Sequence, residues 1–369
     1  AGGYGYYSSI VGGYGNTVTH YYSHIIGSDI QSVSANTTHV ERLNIGTIGG
    51  GSAVTSLGVD ANGMVVNDVS GAFTVSAIRS RIAPTIAYGN IVVGNYSTIA
   101  GGKNNTIDNL SAYSLIGGGL SNTITGGTKS SIVGGYRNSV VDSTESFIGG
   151  GLSNTITDSR YSNIGAGSGN IITTTSTQSS ILGGKENIIS ASTTSSIGGG
   201  LTNSVVDSVN SIIGGGRGNT MKGSDRSIIA VGVGNTLTDS SYSNIGGGVG
   251  NTLTDTSHSI ITGGQYNSIS GGTGITIVGG AGNEINISSD NSIIGGGNSN
   301  QILGSSKSSV IVAGSSNLID STSGVSRLFI GAGYNNTISG NTTNSSIIGG
   351  DNNVVGHNNS HIIGSNIIS

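Results

Sequence analysis

The sequence predicts an all-β fold, a parallel β-solenoid (β-roll) whose coils of 16–17 residues each hold two short strands. Three observations lead there. The phrase Ile-x-Gly-Gly-x-x-Asn recurs along most of the chain, as in Ile132-Val133-Gly134-Gly135-Tyr136-Arg137-Asn138. Its apolar residues are mostly β-branched and fall in short runs between Gly and Asn clusters, the pattern of strands and turns and not of helices. The composition, with 68 Gly, 8% charged and 5% aromatic residues, is too poor in large side chains for a conventional core. It is also too low in charge and too β-branched for a disordered chain.

The Asn of the phrase falls at 16, then at 105, 122, 138, 154, 170, 187, 203, 219, 235, 251, 267, 283, 300, 317, 336 and 353. From 105 onward the steps are 16 or 17, except for one of 19 between Asn317 and Asn336. With the Asn at zero, position −6 is always Ile, from Ile10 through Ile213 to Ile347, and position −3 is always Gly. Position −4 is Gly except at Ala166, Val231, Ala313 and Ala332, and +2 is always apolar, as in Ile124, Val140, Met221 and Leu237. One strand is therefore expected around −7 to −5 and another around +1 to +3, joined by the Gly-Gly-x-x-Asn turn. Two such strands bury no face alone, but stacked coils do. The −6 and +2 residues then form two inward ladders in a thin, flat core. The −3 glycines suit positive φ, and the Asn column suits a left-handed turn with bonds to neighbouring amides.

In chain order, residues 1–34 read as solenoid coils, 35–85 as an inserted linker and hairpin module, and 86–369 as a solenoid of about sixteen coils. The insert holds Glu41, Arg42, Arg79, Arg81, Met64, Phe73 and the single Pro84. Within it, residues 57–66 read as a hairpin around Asn62-Gly63. The chain opens inside a repeat, since Ala1-Gly2-Gly3-Tyr4-Gly5 matches Val11-Gly12-Gly13-Tyr14-Gly15, and stops in another. Neither end carries the polar cap a solenoid needs. A segment of a longer polypeptide, or a unit that stacks end to end, is expected.

Net charge is −4, which leaves no electrostatic footprint for nucleic acid. The absence of Cys excludes disulfides and thiolate chemistry. No apolar run approaches the ~18 residues of a membrane span, so neither membrane insertion nor a nucleic-acid partner is expected.

The Ser-x-Ile-x-Gly-Gly-x-x-Asn-x-Ile period resembles the left-handed parallel β-roll of trimeric autotransporter adhesin heads. It resembles more closely the Gly/Asn/Ile repeat arrays in fibre, tail and spike proteins of bacteriophages and large viruses. In such proteins a stretch like Ser23-His24-Ile25-Ile26-Gly27-Ser28, followed by residues like 36–40 and 57–63, often closes an array; here it lies between repeats. The resemblance implies a structural rod and three-fold self-association.

Five groups of residues invite a functional reading. Asp142, Asp158, Asp207, Asp239 and Asp255 recur at +4, and stacked in adjacent coils they offer carboxylates to Ca²⁺. The plainer account, a turn in which Asp bonds its own backbone, takes precedence. Thr pairs 123/125, 155/157, 236/238 and 252/254 flank the inward +2 residue and face outward, as ice-binding solenoids arrange theirs. Only the coils of Asn235 and Asn251 place two pairs in succession, which favours a solvated face. Tyr14, Tyr136 and Tyr334 share the −2 turn, Tyr161 and Tyr242 the opposite turn, and Tyr4, Tyr6, Tyr7, Tyr21 and Tyr22 crowd the N-terminal end. Turn aromatics stack on sugars, contact a partner or simply cover an edge. His20, His24, His39, His258, His357 and His361 show no metal-ligand spacing beyond the first two, which would need a helix.

The fifth group is a stripe at −7 and −5. Leu115, Phe147, Ile212, Ile293 and Phe329 at −7 are each matched by Gly at −5. Where −7 is Ser9, Ser131, Ser180, Thr276 or Ser346, position −5 becomes Val11, Val133, Leu182, Val278 or Ile348. An apolar stripe that long exceeds what a soluble monomer exposes, so burial between parallel copies is expected. No catalytic, cofactor or metal residues are assigned, and no enzyme is expected. The expected function is a structural fibre or spike, most of all on a virion and used for host attachment. A bacterial surface adhesin and an ice- or glycan-binding solenoid are the alternatives. The expected partners are the chain itself as a homotrimer, other virion proteins and host-surface glycans, at the virion or cell surface.

Overall fold

A computed structural model describes residues 89–369 except 287 and 325, together with Thr17 and six short strands nearer the N-terminus. The chain divides into two compact units, Ala1–Ala72 and Phe73–Ser369. In the first, strands Ser9–Val11, His24–Ile26 and Thr38–Val40 form a parallel sheet with Ile10, Ile25 and His39 in register. Its third strand lies inside the segment read as an insert. Strands Leu57–Val59 and Val65–Asn67 pair antiparallel, the hairpin the sequence predicts; the Asn62-Gly63 turn itself lies outside the described residues.

The second unit is the parallel β-solenoid that the period predicts. One sheet begins at Arg81–Ile82, continues through Thr98–Ile99 and Leu115–Ile116, and ends at His361–Ile362. The other runs from Ile91–Val92 and Thr106–Ile107 to Val354–Val355. Every pairing in both sheets joins equivalent strands of successive coils, so Ile lies beside Ile, as in Ile116↔Ile132 and Ile132↔Ile148. Single-residue parallel bridges at −2, from Lys103↔Leu120 to Tyr334↔Asp351, add a third ladder along the Gly-Gly turn.

Side-chain alternation then sorts each strand into inward and outward residues. The −6 Ile from Ile99 to Ile347 and the +2 residues from Ile107 to Val355 are fully buried and form one continuous core. Each strand contributes one apolar residue to a core two side chains thick, and stacking covers that residue above and below.

Polar ladders close the two edges of this core. The Asn at zero is fully buried in every coil from Asn105 to Asn353. Asn138 illustrates its bonding: Nδ2 donates to the carbonyls of Gly134 (2.9 Å) and Gly151 (3.0 Å), and Oδ1 accepts the backbone N–H of Asn154 at 3.0 Å. The expectation of a left-handed Asn is corrected here. Positive φ belongs to the preceding position, at Ser121, Arg137, Ser153 and Glu186 among others, and not to the Asn.

The sequence reading passed over the opposite edge. Ser at −8 and, in most coils, at +5 or +6 is buried. Ser130 Oγ donates to Ser143 O at 2.6 Å and accepts the N–H of Ser146 at 3.1 Å. Each hydroxyl thus satisfies two backbone groups that the tight turn would otherwise bury unpaired. The recurrence of Ser at −8, interrupted only by Ile275 and Leu328 from the Asn105 coil onward, was the available signal.

Gly135 shows why −3 admits nothing else. It sits at φ +93°, and a Cβ built there would stand 2.2 Å from the carbonyl oxygen of Gly151 in the next coil. Gly134 beside it has open space around a built Cβ, which accounts for Ala166, Val231, Ala313 and Ala332 at −4.

Candidate functional site

Since the interior is filled by Ile, Asn and Ser, any function of the second unit rests on its outward columns. The strand pleat directs −7 and −5 away from the core together. Leu115, Phe147, Ile212, Ile228, Ile260 and Ile293 at −7 are exposed, as are Val133, Leu182, Val278, Val312 and Ile348 at −5. Leu182 keeps 63% of its surface in solvent and Val133 53%, so the apolar stripe read from the sequence is an open surface of the single chain. Among the described coils, from Asn105 to Asn353, no −7 or −5 position is Asp, Glu, Lys or Arg.

The outward face of the other sheet differs in character. Thr236 and Thr238 lie in register with Thr252 and Thr254, half-buried on either side of fully buried Leu237 and Leu253. The columns are broken by Asp108, Ile171, Ile188, Lys222, Glu284, Leu303 and Asp320. Thr123/Thr125 and Thr155/Thr157 take the same outward positions, separated by Ser139 and Val141.

The +4 Asp residues lie in the turn that follows this sheet. Asp142, Asp158, Asp207, Asp239 and Asp255 all have φ between +47° and +53°, the left-handed region that Asp tolerates better than most residues. Backbone bonds hold them there: Asp142 N–H donates to Thr125 O at 2.8 Å and Asp158 N–H to Val141 O at 3.1 Å. The turn reading stands, with this inter-coil bond in place of the Asp's bond to its own backbone. Asp142 and Asp158 share a shallow depression with Arg160, Thr174, Thr175 and Thr177, so the carboxylates there have a cationic residue in the same lining. Among the described residues, no group of three or more His, Asp or Glu is placed to hold a metal ion.

Position −9 also has positive φ in every described coil, and its side chains stack along the turn. Tyr96 lies on Tyr113 with ring centroids 4.9 Å apart and planes 10° from parallel. Lys129 Nζ bonds Glu145 at 3.0 Å, which holds the Lys129 ammonium above its ordinary pKa. Tyr242 is flanked by the Arg226 guanidinium, 5.2 Å from its ring centroid, and by the His258 ring at 4.9 Å. Tyr161 occupies the same column and is exposed. The sequence reading placed Tyr161 and Tyr242 here but missed Tyr96 and Tyr113. Because Tyr96, Tyr113 and Tyr242 spend a ring face on their neighbours, less aromatic surface remains for a flat ligand. At −2, Tyr136 carries the Arg137 guanidinium over its ring at 4.7 Å, while Tyr334 is exposed. The other Tyr residues named from the sequence, at 4, 6, 7, 14, 21 and 22, lie outside the described residues.

His258 Nδ1 is bonded to Ser257 Oγ and His361 Nδ1 to Ser346 Oγ. His24 lies in a strand, and His20 lies outside the described residues. Among the described residues no helix is long and apolar enough to cross a membrane. No protein-family model matches this chain, and no curated protein sequence matches it.

Proposed function

We propose that this chain is the rigid shaft of a structural fibre or spike, carried as a homotrimer on a virion surface and used in host attachment, with no catalytic role. One observation carries the reading: every described coil from Asn105 to Asn353 repeats the same buried Ile and Asn in register. Load along the axis is thereby shared by two backbone sheets and by continuous side-chain ladders. At roughly 4.8 Å per coil, sixteen coils extend about 75 Å, the scale of a projecting stalk. The virion setting rests on the resemblance of the Ser-x-Ile-x-Gly-Gly-x-x-Asn-x-Ile period to viral fibre and tail repeats. In this reading other virion proteins anchor the shaft, and host-surface glycans are its distal targets.

Immunogold electron microscopy of source material, with antibody raised against residues 89–369, tests the proposal. Gold on thin projections of virions is the expected result. Label on a bacterial envelope would replace the virion with the adhesin reading, and label confined to the cell interior would overturn both.

A further inference from the structure

We infer that the −7/−5 stripe is a homotypic interface whose aperiodic knobs lock parallel copies of this chain into a single axial register. This deepens the self-association part of the function proposed above and rests on it. The occupant is a second copy because the stripe is built on the coil repeat. Its features recur once per strand spacing along the whole sheet, and a surface of matching pitch is another solenoid of the same kind. A face about 75 Å long and roughly 10 Å wide amounts to on the order of 750 Å² per chain, one side of a standard stable interface. It carries no formal charge between the coils of Asn105 and Asn353, whereas the opposite face includes Asp108, Lys222, Glu284 and Asp320.

The register argument comes from the order of the knobs. Along the stripe the large residue sits at −7 in Leu115, at −5 in Val133, at −7 in Phe147, and nowhere in the coil of Asn163 and Gly165. It returns at −5 in Leu182, is absent at Ser196/Gly198, and then occupies −7 in both Ile212 and Ile228. Asn244 with Gly246 makes a third gap before Ile260. This sequence of knobs and gaps has no internal period, so only in register does every coil face a coil of its own kind, and sliding one copy by a coil sets Phe147 against Asn163 and Ile260 against Asn244.

Asn163 and Asn244 sharpen the penalty. In register, each amide meets its own equivalent and can exchange hydrogen bonds with it. One coil out of register, it is pressed against Phe147 or Ser180, or against Ile228 or Ile260. A single polar layer in an apolar seam fixes register in this way in coiled coils. A symmetry axis parallel to the rod brings each coil opposite its own equivalent, which antiparallel copies cannot achieve along the whole stripe.

The absence of native Cys makes the test clean. Full-length Ile212→Cys and Ile260→Cys chains, one carrying a size tag, are co-expressed, oxidised and run on a non-reducing gel. The expected products are 212–212 and 260–260 disulfides with no mixed species, since the two sites lie three coils apart. Mixed disulfides as abundant as the homotypic ones overturn the register. Sedimentation of the native chain and of an Ile212→Asp/Ile260→Asp variant tests the face itself. Both side chains are about 40% exposed in the single chain, so the variant is expected to keep its β circular dichroism and to sediment as a monomer. Thr236→Asp, on the opposite sheet, is expected to remain associated. A native chain that sediments as an elongated monomer overturns the interface and the homotrimer with it, and a double variant that stays associated overturns the interface; either leaves the rigid shaft itself standing. Failure of the immunogold test removes the rod reading without touching the cross-links.

Discussion

Asn203 Oδ1 accepts both the backbone N–H of Asn219, at 3.0 Å, and its side-chain Nδ2–H, at 3.1 Å, from one coil further along the solenoid. Asn219 in turn donates Nδ2–H to Gly215 O and Gly232 O, both at 2.9 Å, and its own Oδ1 receives the N–H of Asn235. One side chain thus serves three coils. Asn219→Ala strips the side-chain bonds, leaving the Asn235 N–H without its acceptor and Gly215 O without this donor, while Gly232 O keeps the Arg217 N–H at 2.9 Å. Asn219→Ala is expected to cost about 2–4 kcal/mol in chemical denaturation. A loss below 0.5 kcal/mol, on the order of a neutral surface change, would mean that water replaces the ladder.

Adjacent glycines are expected to respond oppositely. Gly135→Ala places a Cβ against Gly151 O in a residue already at φ +93°, so two penalties add. The loss should exceed about 1 kcal/mol. Gly134→Ala meets nothing within 4 Å and should stay within about 0.5 kcal/mol of the native chain. Equal melting temperatures for the two variants would refute the close-approach account.

The −3 glycines, the inward Ile columns and the two-strand coil were legible because each rests on a residue type that little else can replace. Asn was read half correctly: its bonds to neighbouring amides are present, but the left-handed backbone is not, because the residue type suits both roles and composition does not separate them. The true left-handed positions, −1 and −9, hold Arg137, Glu186, Tyr113 and Lys129. At −1 half of the sixteen described coils carry Gly or Asn, as at Gly169, Gly218 and Asn104, but the other residues blur that signal, because inter-coil backbone bonds such as Arg137 N–H to Leu120 O at 3.0 Å offset the torsional cost. The Ser ladders were hidden by the abundance of Ser elsewhere. Outward exposure of the −7/−5 stripe was legible from strand alternation, but Tyr96 stacking on Tyr113 depends on coil register and was not.

Burial separates Ile213 from Thr236. Ile213 is fully buried between Ile197 and Ile229, and Thr236 is half-buried on the outer face of the second sheet. Ile213→Ala should cost about 2–5 kcal/mol and Thr236→Ala under about 1 kcal/mol. Urea midpoints give the comparison, and similar shifts would place inside and outside the wrong way round.

Asp290 links stability to acid pH. Its Oδ2 lies 3.0 Å from Lys307 Nζ, and Oδ1 accepts the Thr273 N–H at 2.9 Å. The hydrogen bond from Lys307, helped by the weaker Thr273 backbone bond, holds its carboxyl below the ordinary carboxylate value against the opposing effect of burial. A folded pKa below the unfolded one contributes stability that is present above about pH 4 and lost as pH falls through the folded value. Lys307→Ala should move the Asp290 titration, followed by carboxyl NMR, back toward the ordinary value. The exposed pair should change stability at pH 7 by less than about 1 kcal/mol. An unmoved titration would show that the Thr273 bond sets the pKa.

The +4 column separates a turn from a calcium site. Asp142 has φ +47°, and the equivalent positions elsewhere are Gly126, Gly223 and Gly271, also at positive φ. What those residues share is the left-handed backbone, not a carboxylate. Asp142→Gly should therefore keep or slightly raise stability, whereas Asp142→Val, β-branched and forced into the same region, should lose about 1–2 kcal/mol. A calcium site would reverse this pattern, since removing either carboxylate would abolish the metal's stabilisation of the folded chain. Arg160 in the lining of the same depression argues against that outcome, as its charge opposes a divalent cation there. Melting of the native chain with and without millimolar calcium completes the test. Unchanged curves, with Asp142→Gly at least as stable as native, are the expected result. A calcium-dependent rise that Asp142→Gly abolishes would make the column a metal site after all.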